Sequence, residues 1–321
     1  MNATLSQEAN AAINDALAVL RGGGLVAIPT ETVYGLAADA SNANAVRRIF
    51  AAKDRPANHP LIVHIAAAEQ LGEWAATIPP AAQLLAENCW PGPLTLLVER
   101  SATVLDVVTG GLPSVGVRVP AHPLTTELLR RFGGGLAAPS ANRFGRVSPT
   151  TAEHVRRDLG SLVDMVLDGG ACPIGVESTI VDCTTVPPQV LRPGGIPTEQ
   201  IAALLDGNLD PAAGASRASG MLVAHYAPAC RVVLANSSRA AAAIVATEMA
   251  DGRTADVLDG STDLVGYARG LYAALRAADD RGLDVLVAVL PPPVGLGHAL
   301  RDRLTKAANA HPDHRAADHR A

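Results

Sequence analysis

Short apolar runs alternate with segments of helical spacing along most of the chain. Residues 25–28 and 61–65 are rich in leucine, isoleucine and valine and have strand length. Between them Val46, Ile49 and Phe50 recur at helical spacing behind an asparagine cap at Asn42 or Asn44. The pattern predicts strand, polar turn, helix, basic turn, strand. Polar groups thereby gather in turns at element ends, where α/β proteins bind ligands.

Upstream, an amphipathic helix is predicted over 4–21, with Thr4 and Gln7 as a capping box and Ile13, Leu17 and Leu20 as its stripe. Beyond residue 65 the pattern predicts helices over 69–76 and 80–87, then strands over 94–98 and 115–119. A helix ending over 128–132 leads to a strand over 136–138, and a helix capped by Thr150 or Thr151 runs to Leu159. Strands follow over 164–167, up to Asp182 and over 189–192, and then a helix from Thr198. Residues 207–218 lose periodicity and read as an interdomain linker.

The last third alternates strand 231–235, helix 237–249, strand 256–258, helix 263–278, strand 285–290 and helix 296–308. That is the pattern of a small parallel α/β sheet with right-handed crossovers. The chain divides into a domain over 1–206, a linker over 207–228, a second domain over 229–308, and a tail over 309–321. The tail, with His311, His314 and His319, reads as a disordered terminus more than a metal site.

Composition narrows the class. Hydrophobic residues make up 48% and charged residues 18%, which excludes a disordered solvating chain. A net charge of −5 argues against a constitutive nucleic-acid binder. No charged segment followed by an apolar block opens the chain, and no apolar stretch approaches the ~20 residues that span a bilayer. Cys89, Cys172, Cys183 and Cys230 form no paired zinc signature and read as reduced thiols in a cytoplasmic protein.

Candidate chemistry sits in the turns. Lys53 and Arg55 precede Pro56, and together offer a mobile point charge and a planar two-pronged donor suited to phosphate oxygens. The competing reading is a solvated helix C-terminus, where cations are favoured anyway. Arg118 falls inside an apolar strand, so it either snorkels to solvent or meets an anion. From Arg118 through Arg157 seven arginines face only Glu127 and Glu153, a local positive field within a negative chain. Two formal dinucleotide fingerprints, Gly22 with Gly24 and Ala27, and Gly133 with Gly135 and Ala138, precede strands and are rejected.

Five blocks then resemble a known family. They are Pro29-Thr30-Glu31-Thr32-Val33-Tyr34-Gly35-Leu36, Lys53-Asp54-Arg55-Pro56, Pro139-Ser140-Ala141-Asn142, Glu177-Ser178-Thr179-Ile180-Val181-Asp182 and Leu191-Arg192-Pro193-Gly194. In order and spacing they resemble the YrdC-type threonylcarbamoyl-AMP synthases. His225-Tyr226-Ala227-Pro228 and the ending from Gly295-Leu296-Gly297 to Lys306 resemble the family's long, two-domain form. The resemblance implies a twisted, open, mixed α/β sheet with a concave basic cavity, followed by a small Rossmann-like parallel α/β domain. It implies condensation of L-threonine, bicarbonate and ATP to threonylcarbamoyl-AMP and pyrophosphate. A downstream transferase complex would then modify tRNA, and Mg2+ would travel with the ATP.

By the same resemblance Lys53 and Arg55 face the phosphates as the catalytic pair. Thr32, His64, Arg118, the Ala138 backbone and Ser178 hold threonine. His59, Ser114, Ser140, Asn142, Ser148, Arg192 and Tyr226 complete the ATP site, with Tyr226 on a linker lying across the cavity mouth. His59 stands where Asn or Lys is common in the family, and the linker residues 219–224 depart from the family's usual proline, basic and aromatic pattern. No dedicated metal site is implied. Two other readings stay open: an RNA-binding module using the basic cavity, and a carbamoyl-transfer maturation factor. Aromatics at 3% weaken the first, and the lack of paired-cysteine zinc modules weakens the second.

Overall fold

The computed structural model describes residues 5–213, 217–218, 220–221 and 225–310. Helix α1 (Gln7–Arg21) buries Ile13, Leu17 and Leu20, as the pattern predicts. Its cap differs. Gln7 is the first helical residue, so Ser6 holds the capping position and accepts from the Ala9 amide at 3.1 Å. Thr4 lies outside the described residues.

Strand β1 (Val26–Ile28) pairs antiparallel with β2 (Gly35–Asp39). The expected polar turn thus contains a strand. Gly35, Leu36, Ala37 and Ala38 are buried, but glycine and alanines carry too little apolar bulk to raise a strand signal. Helix α2 (Ala43–Lys53) starts at Asn42, whose Oδ1 accepts from the Asn44 and Ala45 amides. It stops where Asp54 turns left-handed, at φ 53°, ahead of Pro56.

The chain continues through β3 (Ile62–His64), α3 (Leu71–Trp74), α4 (Pro80–Cys89), β4 (Leu94–Glu99), α5 (Asp106–Thr109) and β5 (Ser114–Arg118). Then come α6 (Pro123–Phe132), β6 (Leu136–Ala137), α7 (Ala152–Leu159), β7 (Met165–Val166), β8 (Thr179–Asp182) and β9 (Gln189–Arg192). Thr151 caps α7 by accepting from the His154 amide at 3.3 Å. Helix α8 (Thr198–Leu204) is followed by β10 (Asp210–Pro211), which pairs with β9. The stretch read as a linker therefore begins with an edge strand.

The ten strands form one mixed sheet in the order β10-β9-β8-β4-β5-β3-β6-β2-β1-β7. Parallel neighbours β3 and β5 end side by side at His64 and Arg118. Gly194, just past β9, lies against the chain entering β8: a Cβ there would come within 2.4 Å of the Glu177 carbonyl oxygen. Glycine lets β9 and that segment approach closely.

The second unit comprises β11 (Arg231–Ala235), α9 (Ser238–Ala250), β12 (Ala255–Leu258), α10 (Leu264–Asp280), β13 (Val285–Val289) and α11 (Leu296–Ala308). Its three parallel strands run in the order β11-β13-β12. One apolar cluster joins the two units: Val33, Val147 and Val176 of the first pack with Tyr226, Leu271, Tyr272, Leu300 and Leu304. Polar contacts reinforce it. Arg157 pairs with Asp280 at 2.7 Å and Arg276 with Asp158 at 2.6 Å. All four cysteines are buried free thiols. No helix among the described residues is long and apolar enough to cross a membrane.

Candidate functional site

A cleft of about 570 Å3, including the solvent space at its mouth, opens where the parallel strands end. One wall is the turn between β1 and β2. There Thr30 Oγ1 donates to the Val33 carbonyl at 2.6 Å and accepts from the Thr32 and Val33 amides, fixing a tight hydroxyl turn.

Arg118, at the end of β5, is 4% exposed and tethered on three sides. It donates to Glu31 Oε1 at 2.5 Å, Thr32 Oγ1 at 3.0 Å and the Gly92 carbonyl at 3.2 Å. Glu31 in turn accepts from the Ala121 amide at 3.0 Å. Guanidinium carries five N–H groups, so two remain after these bonds. His64 lies beside Arg118 at the end of β3. Burial, then the Arg118 charge, lowers its pKa to about 3, so the imidazole is neutral; its Nδ1 has no hydrogen-bond partner among the described residues.

The opposite wall comes from β8, β9 and the segment entering them. Arg192 donates to the Ser178 carbonyl at 2.9 Å and to Ser178 Oγ at 3.1 Å, while Ser178 Oγ also meets Thr95 Oγ1 at 2.8 Å. Glu177 is buried yet ionised. Burial pushes its pKa up, but Arg303, Arg192, Ser148 and Tyr272 outweigh that and hold it at about 2. It accepts from Ser148 Oγ at 2.6 Å, Tyr272 Oη at 2.7 Å and Arg303 Nε at 2.9 Å.

Arg55 lines the mouth, donating to the Pro60 carbonyl at 3.0 Å with its guanidinium 5.5 Å from the Phe144 ring. Burial lowers its pKa to about 10, which leaves it cationic. Gly220, His225 and Tyr226 close the cleft. Tyr226, left-handed at φ 61°, stacks on Tyr272 at 5.7 Å. A Cβ on Gly220, itself at φ 80°, would come within 2.8 Å of Tyr226 Oη, so only glycine fits there. The rest of the linker expectation, Ser219 and residues 222–224, lies outside the described residues.

The structure thus gathers Thr32, Arg55, His64, Arg118, Ala138, Ser140, Ser178, Arg192 and Tyr226 around one cleft. Lys53 does not line the cleft. It is 1% exposed, and its Nζ donates to the Ser140 and Asn142 carbonyls at 2.5 Å each, beneath the loop instead of in the cleft. Burial, then Arg55, lowers its pKa well below the usual lysine value. The helix end carries Lys53 inward while the left-handed Asp54 turns Arg55 towards the cleft. Asn142 likewise does not line the cleft: it is buried and donates to the Arg143 and Arg146 carbonyls. The Ser148 hydroxyl is spent on Glu177. Ser114 sits at the far end of β5, opposite Glu99, and His59 packs edge-on to Phe144.

The sequence reading missed the network behind the cleft. It named no site residue in the second unit, yet Tyr272 and Arg303 come from α10 and α11. One signal was present. Leu300, Arg303, Leu304 and Ala307 form one stripe on α11, so an arginine occupies an apolar position. The cleft offers fixed cations, hydroxyls and neutral imidazoles. Such a set suits positioning and charge neutralisation of an anionic reactant more than attack by a protein nucleophile.

Comparison with known proteins places this geometry. The Sua5/YciO/YrdC family model, described as telomere recombination, matches residues 18–194, and a model for the threonylcarbamoyl-AMP synthase C-terminal domain matches residues 196–309. The chain is 42% identical to the threonylcarbamoyl-AMP synthase of Pyrococcus abyssi, covering 92% of this chain and 94% of the relative. It is 40% identical to that of Bacillus subtilis, covering 92% of each. The crystal structure of P. abyssi Sua5 complexed with L-threonine superposes with a TM-score of 0.89 at 42% identity, over 93% of this chain and 94% of that one.

Proposed function

The chain belongs to the threonylcarbamoyl-AMP synthase family, and from that premise we propose how its cleft joins L-threonine, bicarbonate and ATP. It is a nucleotidyl-transferring enzyme of tRNA modification. The observation that carries the reading is the convergence of Arg55, Arg118 and Arg192 on one cleft.

The threonine amine and bicarbonate give a carbamate and water. A carbamate oxygen then attacks the α-phosphorus of ATP, the bond to the bridging oxygen breaks, and pyrophosphate leaves with its electron pair. Arg118, oriented by Glu31 and Thr32, turns its two remaining N–H groups to the threonine carboxylate. Thr32, His64, the Ala138 backbone and Ser178 complete that pocket. Neutral His64 serves as a hydrogen-bonding group and is too weak a base to take the amine proton.

Arg55, Ser140, Arg192 and Tyr226 face the nucleotide. Lys53, Asn142 and Ser148 act one layer behind, Lys53 by clamping the loop that presents Ser140. His59 and Ser114 are assigned to the nucleotide by resemblance alone. Magnesium enters with the triphosphate. Glu31 and Glu177 are committed to arginines, and among the described residues no cluster of three His, Cys, Asp or Glu is arranged to hold an ion.

Residues 1–206 form the catalytic domain, 207–228 the linker over the cleft, and 229–308 the C-terminal domain in this reading. The product is a mixed anhydride of a carbamate and a phosphate. Its reactivity requires a partner transferase that moves the group onto tRNA, and we place the protein in the cytoplasm. Pyrophosphate release with threonine and bicarbonate omitted in turn tests the assignment. Release needing both supports it, and release needing neither overturns it.

A further inference from the structure

The last helix of the second unit carries an arginine into the back of the cleft. Arg303 is wholly buried, and it touches four things. Its Nε donates to Glu177 at 2.9 Å, and its Nη1 donates to the Pro193 carbonyl at 2.7 Å and to Asp302 at 2.8 Å. Its guanidinium lies 5.3 Å from the centre of the Tyr226 ring, and its Nη2 has no hydrogen-bond partner among the described residues. A buried guanidinium with so exact a set of contacts is costly to keep unless it organises its neighbours.

We propose that Arg303 is a positioning residue for the nucleotide half of the site, acting through Glu177 and through the face of Tyr226. Glu177 is the hub. It accepts from Ser148 Oγ and Tyr272 Oη besides Arg303, and it lines the cleft. The Tyr226 ring meets both Tyr272 and Arg303. The same helix fixes the linker. Lys306 Nζ donates to the Gly220 carbonyl at 2.6 Å, and the Lys306 carbonyl accepts from the His225 amide at 3.3 Å. Asp302 pairs with both Arg303 and Lys306. One helical turn of α11 thus sets the cleft's back wall and its closing segment, which gives the C-terminal unit a role in the reaction.

The charged and titratable groups facing Glu177 are Arg303 from α11, Tyr272 from α10, Arg192 from β9, and His225 and Tyr226 from the closing segment. Without Arg303, burial regains its hold and the carboxyl protonates at a higher pH. A protonated Glu177 holds Ser148 more weakly, because the charge-assisted bond becomes a neutral one.

The inference rests on the synthase reading, and the test separates the two. Full-length wild type, Arg303→Met, Arg303→Lys, Glu177→Gln and Tyr272→Phe are assayed for pyrophosphate release from pH 5 to 8, with ATP and threonine varied separately. Arg303→Met is expected to lose about 10- to 100-fold in kcat/KM for ATP, against less than about 3-fold in the threonine KM. It also gains an acidic limb absent from wild type, and adding Glu177→Gln removes that limb. Arg303→Lys recovers part of the loss. Equal losses on both substrates with an unchanged pH profile would reduce Arg303 to a structural role and overturn the proposal.

If wild type released no pyrophosphate, the synthase reading would fail on its own. Hydrogen exchange at the Ala227 amide, bonded to the Gly145 carbonyl at 2.9 Å, then decides the positioning role. Faster exchange in Arg303→Met supports it and unchanged exchange refutes it. Where Arg303→Met does not fold, Arg303→Lys and Tyr272→Phe carry the same comparisons.

Discussion

Replacing Arg118 by alanine disturbs two things at once, and the structure lets them be separated. Glu31 is 7% exposed and its carboxylate relies on Arg118 at 2.5 Å, helped by the Ala121 amide. Removing one partner of a buried pair costs about 3–5 kcal/mol, because the other charge stays behind. In the proposed binding mode the threonine carboxylate loses a charge-assisted hydrogen bond of about 1.5–3 kcal/mol, or roughly 10- to 150-fold in affinity. Arg118→Ala is therefore expected to fall in both denaturant stability and threonine affinity. Adding Glu31→Gln neutralises the stranded carboxylate and restores most of the stability. It does not restore threonine binding, since no cation has returned. The assays are urea unfolding and the threonine dependence of pyrophosphate release. A double variant with wild-type threonine dependence would refute the reasoning and confine Arg118 to holding the turn.

Arg55→Ala is expected to lower kcat/KM for ATP by roughly 10- to 150-fold with little loss of stability, read by pyrophosphate release and thermal unfolding. Lys53→Met strands two buried carbonyls and is expected to cost about 1–3 kcal/mol each in urea unfolding, with kcat falling as the Ser140 loop loosens. His64 and His225 have folded pKa values of about 3, below the unfolded value, so the unfolded chain binds more protons between pH 3 and 6.5. Stability is thus expected to drop as pH falls below 6.5, by about 2 kcal/mol for each histidine at pH 5, and His64→Gln should flatten that slope.

What could be read from the sequence depended on how local the cause was. Asn42 and Thr151 announce their helices because a cap acts within one turn. The strands of the second unit were legible because β-branched runs alternate with helical spacing there. Strand β2 was not, since its burial comes from neighbours on both sides and not from its own small residues. The cleft was legible as motifs, and Arg118 and Arg192 both line it. The place of Lys53 beneath the loop was not legible, because a lysine beside a phosphate and a lysine clamping carbonyls carry the same letter. The bond between Glu177 and Arg303 spans 126 residues, and no local pattern links its ends.

The four buried thiols have a chemical consequence. Burial pushes the pKa of Cys172 and Cys183 up to about 12 and that of Cys230 up to about 11, and it raises Cys89 as well. At neutral pH the thiolate, the form that reacts with peroxide, alkylating agents and disulfides, makes up only about one part in ten thousand to one in a hundred thousand for the three most shifted. The folded protein is therefore expected to tolerate oxidants without losing its sulfhydryls. Because three of them belong to the large unit and Cys230 to the small one, each unit would expose its own reactive sulfur only on opening.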